Sequence, residues 1–142
     1  MVEINNTTKN KINLKKTTSL IESFLGAYQK KNFSVSLALI GSTKMRRLND
    51  DYRGINQATD VLSFAGDEAE KFLGEVIICP EELKKIKNYS AIFKTAPKAE
   101  YLFYFILVHG LLHLSGYDDE SEQSRLEMIA RGKKFLEKNG II

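Results

Sequence analysis

The chain has 142 residues, of which 43% are hydrophobic and 27% are charged, a composition typical of a single globular domain. We therefore expect one domain with one core over residues 1–142. The only cysteine, Cys79, excludes an internal disulfide bond. The polar N-terminus lacks the apolar segment of a signal peptide, so a cytoplasmic location is expected.

The strongest apolar run extends from Tyr101 to Leu114. It is shorter than the roughly 18 residues of a membrane-span candidate, so we expect a buried core helix and no membrane association. The net charge of +3 includes basic clusters such as KNKINLKK and KMRR. These clusters could contact phosphates, but solvated lysines on helix surfaces give the same pattern. Charge alone therefore permits nucleic acid binding without indicating it.

The first half of the chain predicts two strands and two helices. A short polar strand or arm precedes a helix over residues 17–30, for which Thr17 or Thr18 is the candidate cap. Alternating apolar residues over residues 33–39 are typical of a strand. A short helix then begins at Ser42 and ends before a glycine, and its inward-facing residues are expected to be Met45, Leu48 and Tyr52.

The second half predicts two strands and three helices. The segments DVLSFA and FLGEVIICP read as strands joined by the acidic loop GDEAEK. Helices are expected to start at Pro80 and Pro97. A final amphipathic helix is predicted over residues 119–138, and its inward positions include Leu126, Ile129 and Leu136.

The predicted order of elements, β-α-β-α-β-β-α-α-α, indicates an α/β or α+β fold. We expect a small mixed sheet of about four strands with helices packed against it. The late apolar helix, which carries both histidines of the chain, should be the most buried helix of this fold.

The two histidines form the centre of a candidate metal site. His109 and His113 lie four residues apart, so on a helix they share one face and can bind one ion. Gly116 can adopt the left-handed conformation that ends a helix. The turn that follows would allow Asp119 to approach the same ion. The pattern predicts one zinc ion with three protein ligands and a position for water, as in catalytic zinc sites.

Two histidines of a helix core are the alternative interpretation of this spacing. Buried imidazoles need polar partners, however, and the neighbouring residues are apolar. The spacing also matches the metzincin motif H-E-x-x-H-x-x-G-x-x-H, so we expect a metzincin-like metal-binding helix-turn. Gly110 stands where that motif has its general-base glutamate. Hydrolysis of peptides, as by a metalloprotease-like hydrolase, is therefore a weak alternative.

These motifs resemble those of the YbeY family of bacterial endoribonucleases, which are rRNA maturation factors. The family signature H-G-x-L-H-L-x-G-Y-D-H appears here as HGLLHLSGYDD. A second family stretch appears as LNDDYRGINQATDVLSF, followed by LGEV. Together these motifs and their spacing cover most of residues 48–120.

The resemblance implies a zinc-dependent, single-strand-specific endoribonuclease of the cytoplasm. It implies action at the 3′ end of the small-subunit rRNA and in ribosome quality control, with the ribosome or ribosomal proteins as partners. His109 and His113 correspond to zinc ligands, and the third ligand falls on Asp119, where the family has histidine. The family arginine implicated in catalysis or RNA binding falls on Arg53. We assign the neighbouring TDVLSF stretch to structure.

Several alternatives stay open at this point. The substituted third ligand and the lack of an evident general base would also suit a non-catalytic, metal-stabilised factor for ribosome assembly or RNA binding. Two histidines and a carboxylate form the donor set of non-haem Fe(II) sites as well, so another divalent metal is an alternative to zinc. Asp118 could replace Asp119 as the third ligand. The sequence does not define the oligomeric state.

Overall fold

The structure is a computed structural model that describes residues 1–142, except for the side chain of residue 86. Its elements follow the predicted order. The strands are β1 (Val2–Asn6), β2 (Ser34–Leu39), β3 (Val61–Asp67) and β4 (Phe72–Ile78). The helices are α1 (Leu14–Ala27), α2 (Ser42–Arg53), α3 (Pro80–Leu83), α4 (Ala99–Leu114) and α5 (Glu122–Lys138), and a 3₁₀ turn (Ile86–Tyr89) lies between α3 and α4.

The four strands form one mixed sheet in the order β1-β2-β4-β3. The strands β1, β2 and β4 are parallel, whereas β3 pairs antiparallel with β4 and forms an edge of the sheet. Parallel neighbours need a crossover connection, which α1 and α2 provide here. The predicted α/β class with a small mixed sheet is confirmed.

The helix α4 is the most buried helix, as predicted. Its ten buried residues lie between Leu102 and Leu112, and it contacts α1, α5, β3 and β4. Burial from several sides explains why its sequence is apolar all round. None of the described helices has the length and apolar character that a membrane crossing requires.

The helix α1 begins before the predicted residue because its cap is Asn13. The Asn13 side chain accepts a hydrogen bond from the backbone N–H of Lys16 at 2.9 Å. Thr17 is a buried residue within the first turn, and its hydroxyl donates to the Asn13 carbonyl at 2.8 Å. The prediction that Thr17 or Thr18 caps this helix is therefore wrong. Asn13 caps the helix four residues earlier in the chain, and Thr17 lies inside the helix.

The helix α5 begins three residues later than predicted. Ser121 caps it in a capping box, in which the Ser121 hydroxyl accepts the N–H of Ser124 at 3.0 Å. The segment that contains Asp119 is consequently a loop. The predicted helix after β4 is also shorter, because residues 80–88 form the four-residue α3 and then a 3₁₀ turn.

Two residues expected to face inward are exposed. Tyr52 is 67% exposed and Leu126 is 52% exposed. Tyr52 lies at the end of α2, where its ring contacts the ring of Phe64 edge-on, with the centroids 4.8 Å apart. The buried stripe of α5 includes Met128 and Leu136, and Leu126 lies to one side of that stripe at 100° per residue.

Gly110 lies where α4 comes closest to the sheet. A Cβ atom at this position would lie 2.8 Å from Cγ1 of Val76 and 3.2 Å from the hydroxyl oxygen of Ser63. The Ser63 hydroxyl also donates a hydrogen bond to the Gly110 carbonyl at 3.1 Å. A side chain at residue 110 would therefore press into β3 and β4, so this position cannot supply a metzincin-type glutamate.

We predict that Gly110→Ala destabilises the protein by about 1–3 kcal/mol, since overpacking a closely packed contact forces its neighbours to shift. The matched control is Gly26→Ala in α1, where no described atom beyond the chain neighbours and the helix's own backbone lies within 4 Å of the added Cβ. Alanine favours a helix over glycine by up to about 1 kcal/mol, so the control should be neutral or stabilising. Urea unfolding of both variants checks this. Equal stability of the two variants would contradict the close approach.

Candidate active site

The end of α4 is a Schellman motif centred on Gly116. The N–H of Tyr117 donates to the Leu112 carbonyl, and the N–H of Gly116 donates to the His113 carbonyl, each at 3.1 Å. Gly116 has the left-handed φ of 100° that this motif requires. The helix thus ends directly after its second histidine, and the chain reverses toward the same face.

The turn brings Asp119 to the two histidines. Its Oδ2 atom lies 3.7 Å from Nε2 of His109 and 3.6 Å from Nε2 of His113. One donor atom from each of the three residues lies within 4.8 Å of the others. Two ligands of a tetrahedral zinc, with bonds of about 2.1 Å, lie about 3.4 Å apart. The spacing of these donors is therefore suited to a metal ion.

The adjacent carboxylate, Asp118, has a different set of contacts. Its Oδ1 atom accepts hydrogen bonds from the Glu120 N–H at 3.1 Å and from the Ser124 hydroxyl at 3.2 Å. Asp118 therefore joins the loop to the first turn of α5. Of the two neighbouring aspartates, Asp119 is the one that faces the histidines.

Burial favours the neutral form of the histidine that lies deeper. The side chain of His109 is 16% exposed, against 30% for His113. Burial lowers the pKa of His109 from its ordinary value of 6.5, and the neighbouring His113 lowers it further, while Asp119 and Asp60 oppose this change. A neutral imidazole is the form that binds a metal. The donor set and the lowered pKa of His109 thus both fit a divalent ion.

One ring nitrogen of His109 lacks the support usual in metal sites. Its Nδ1 atom is buried and has no hydrogen-bond partner among the described residues. Metal-binding histidines generally donate this second N–H to a carboxylate or carbonyl, which fixes the ring. Here apolar packing, including the Phe105 ring stacked at 6.3 Å, holds the imidazole instead.

The histidines and Asp119 lie in a cleft of about 580 Å³ that Arg53 also lines. Arg53 is the last residue of α2, and Gly54 ends the helix in the left-handed conformation, with φ of 70°. The buried Asn49 donates a side-chain hydrogen bond to the Gln57 carbonyl at 2.8 Å, which anchors the loop after Arg53. The structure therefore brings all four residues predicted from sequence to one cleft.

A family model described as Endoribonuclease YbeY matches residues 3–140. The chain belongs to the YbeY family. An Endoribonuclease YbeY from Heliobacterium modesticaldum is 36% identical over 128 residues, which cover 80% of this chain and 74% of that protein. An Endoribonuclease YbeY from Mycoplasmopsis synoviae is 37% identical over 105 residues; this match covers 69% of this chain and 64% of the relative, less than two thirds of its length.

A solved structure is similar across almost the entire chain. The solution structure of TM1509 from Thermotoga maritima superposes with a TM-score of 0.60 and is 28% identical, covering 96% of this chain and 87% of that protein. The YbeY fold of the chain therefore has support from sequence and from structure. Asp119 stands where the family signature quoted above has its last histidine.

Three further ionisable residues that line the cleft, Asp60, Tyr89 and Arg125, were not predicted as site residues. Asp60, assigned to structure from sequence, lines the cleft, and the Tyr89 hydroxyl donates to its Oδ2 atom at 2.7 Å. Burial and the neighbouring Asp60 carboxylate raise the pKa of Tyr89, so its hydroxyl stays a donor. Arg125 of α5 also lines the cleft. The sequence placed Asp60 within the second family stretch, whereas Arg125 lies outside both family stretches and gave no signal.

We predict that Asp119→Ala weakens zinc binding by more than about 100-fold, because only two imidazoles would remain. Loss of a residue that merely hydrogen-bonds to a metal ligand typically weakens binding by about 10- to 100-fold. Asp118→Ala is the matched control, and it should keep zinc affinity while lowering the melting temperature slightly. Asp119→His should bind zinc more tightly than the unaltered chain. Competition with a coloured chelator measures all three affinities. If Asp119→Ala keeps full affinity, Asp119 does not bind the ion.

Proposed function

We propose that residues 1–142 form one metal-dependent hydrolase domain that acts as a single-strand-specific endoribonuclease. The proposed metal is one zinc ion held by His109, His113 and Asp119, and Arg53 is the proposed catalytic residue. The observation that carries this proposal is the shared cleft, in which three metal-ligand donors within 4.8 Å of one another lie beside an arginine. The Endoribonuclease YbeY relatives support RNA as the substrate.

A zinc ion bound by these residues would supply a Lewis acid for a phosphoryl oxygen and would lower the pKa of a water molecule toward about 7. Arg53 has the complementary task. Its planar guanidinium can hold two oxygens of the scissile phosphate and offset the charge that builds up in the transition state. Because Arg53 is exposed at a helix end, its side chain can reach a substrate that enters from solvent.

Asp119 changes the electrostatics of the ligand set. A carboxylate is a harder ligand than imidazole and brings a negative charge, which favours metals that prefer oxygen. Another divalent ion is therefore an alternative to zinc in this site. The negative ligand also offsets part of the charge of the ion. The pKa of a bound water molecule would therefore be lowered less than in a site with three neutral histidines.

Membership of the family also supports a proposal for the cellular role. We propose that the enzyme matures the 3′ end of the small-subunit rRNA and takes part in ribosome quality control in the cytoplasm, with the ribosome or ribosomal proteins as partners. The net charge of +3 suits a protein that meets a polyanion.

The main alternative is a factor that binds RNA or helps ribosome assembly without cleaving RNA, with the metal as a structural element. The specific observation in its favour is Asp119, which departs from the histidine of the signature. Peptide hydrolysis has less support. The position that carries the general base in metzincins is Gly110, which packs against Val76 of β4.

We predict that the zinc-loaded protein cleaves single-stranded RNA and that chelation abolishes this activity. Arg53→Lys should lower kcat/KM by about ten- to a hundredfold, because a lysine is a point charge that cannot hold a phosphate bidentately. Its melting temperature should stay unchanged, since Arg53 is exposed. RNA cleavage followed on denaturing gels measures the rates.

The control for this experiment is Arg47→Lys, a substitution of an exposed arginine on the same helix that does not line the cleft. It should cleave RNA at the normal rate. Wild-type turnover by Arg53→Lys would remove Arg53 from the catalytic machinery. Absence of cleavage with zinc and with other divalent ions, while RNA still binds, would favour the non-catalytic alternative.

A further inference from the structure

Arg125 is the second arginine of the cleft. It lies in the first part of α5, one turn before Ile129, and both residues line the cleft. Residues four apart share a helix face, so this face of α5 forms a cleft wall. Arg125 is half-buried there, while the next two residues of the helix, Leu126 and Glu127, are exposed. The two arginines thus enter the cleft from different elements, Arg53 from the end of α2 and Arg125 from α5.

The Arg125 guanidinium has no anionic partner in the described part of the chain. No described carboxylate lies within 4.0 Å of its nitrogens. Arg131, on the same helix, has in contrast both a carboxylate and an aromatic ring as partners. It lies 3.6 Å from Glu127 and sits over the Tyr117 ring at 4.6 Å. Arg131 is therefore part of the packing, whereas Arg125 keeps its hydrogen-bond donors for a ligand.

The ligand that suits this position is an anion that also reaches the candidate metal centre. The charged side chains that line the cleft, apart from the histidines, are Arg53, Arg125, Asp60 and Asp119. Without Arg125 and without a bound ion, the two carboxylates would outnumber the remaining arginine, and the lining charge of the cleft would be negative. A single-stranded nucleic acid carries a phosphate at every nucleotide, so a strand held by Arg53 at one phosphate offers another to α5.

We propose that Arg125 forms a second phosphate-binding site, which grips the RNA backbone at a phosphate other than the scissile one. The proposal rests on RNA as the substrate, as proposed above, but not on cleavage. Arg125 positions the strand across the cleft from the α5 side, and Arg53 contacts the phosphate that reacts. Such a contact adds affinity without sequence preference.

The test uses the full chain, treated with chelator to prevent cleavage, and a fluorescein-labelled single-stranded RNA of about 12 nucleotides, within the size range of single-strand sites. Fluorescence anisotropy gives the dissociation constant at salt concentrations from about 50 to 200 mM. Arg125→Gln should weaken binding by about tenfold, the usual effect of losing a charged hydrogen bond. It should also reduce the slope of log affinity against log salt by about 0.7, the value for one phosphate contact on a single strand.

Two further variants make the test specific. Lys134→Gln removes a charge from an exposed position of the same helix outside the cleft, and it should keep the normal affinity and slope. Arg125→Lys keeps the charge, so it should recover most of the slope, which a purely structural role of Arg125 would not predict.

The outcomes separate this proposal from the proposed function. The phosphate site is overturned if Arg125→Gln keeps the affinity and slope of the wild-type chain or of Lys134→Gln. It is also overturned if the wild-type chain binds no RNA. If the zinc-loaded wild-type chain cleaves no RNA but Arg125→Gln still loses one phosphate contact, the phosphate site stands and the nuclease proposal fails. With RNA cleavage intact, Arg125→Gln should raise KM and leave kcat within about twofold, since the contact is made equally in the ground and transition states.

Discussion

The pair of hydrogen bonds that closes α4 around Gly116 positions Asp119, the third candidate ligand, relative to the two histidines. His113 accepts one of these bonds through its carbonyl while its imidazole faces the cleft. The reversal of the chain then carries Asp119 to within 3.7 Å of both imidazoles. If the helix continued for one more turn before the chain reversed, the turn that carries the third ligand would begin about 5 Å farther along the helix axis from the histidines. The metal site therefore depends on where the helix stops as much as on which residues it contains.

The depth of the histidines depends on the other side of the same helix. Gly110 allows α4 to lie directly against Val76 and Ser63, so the helix is held at a fixed distance from the edge strand β3. That strand in turn forms a wall of the cleft through Val61, Leu62 and Ser63. The absence of a side chain at residue 110 thus has a structural cause. It also explains why a chain with metzincin-like spacing lacks the metzincin glutamate.

The features that could be predicted from sequence are those that depend on neighbouring residues. The order of elements, the buried helix and the turn at Gly116 follow from periodicity and from local backbone preference. The residues that were missed are set by contacts between distant segments. Tyr89 meets Asp60 across 29 positions, and Arg125 reaches the cleft only because α5 packs beside α4. The exposure of Tyr52 and Leu126 also depends on contacts between distant segments. Apolar character alone does not show which face of a helix the rest of the chain covers.

The substitution at position 119 has an electrostatic consequence that Arg125 offsets. Relative to a neutral histidine, Asp119 adds one negative charge to the cleft in which we propose that phosphates bind. Arg125 adds one positive charge to the same cleft, and the charges of the lining arginines and aspartates then balance. A divalent ion held by the two histidines and Asp119 would make the cleft positive, so the ion and a polyanion would each strengthen the binding of the other. This coupling is necessarily reciprocal, because the same free energy links the two binding steps.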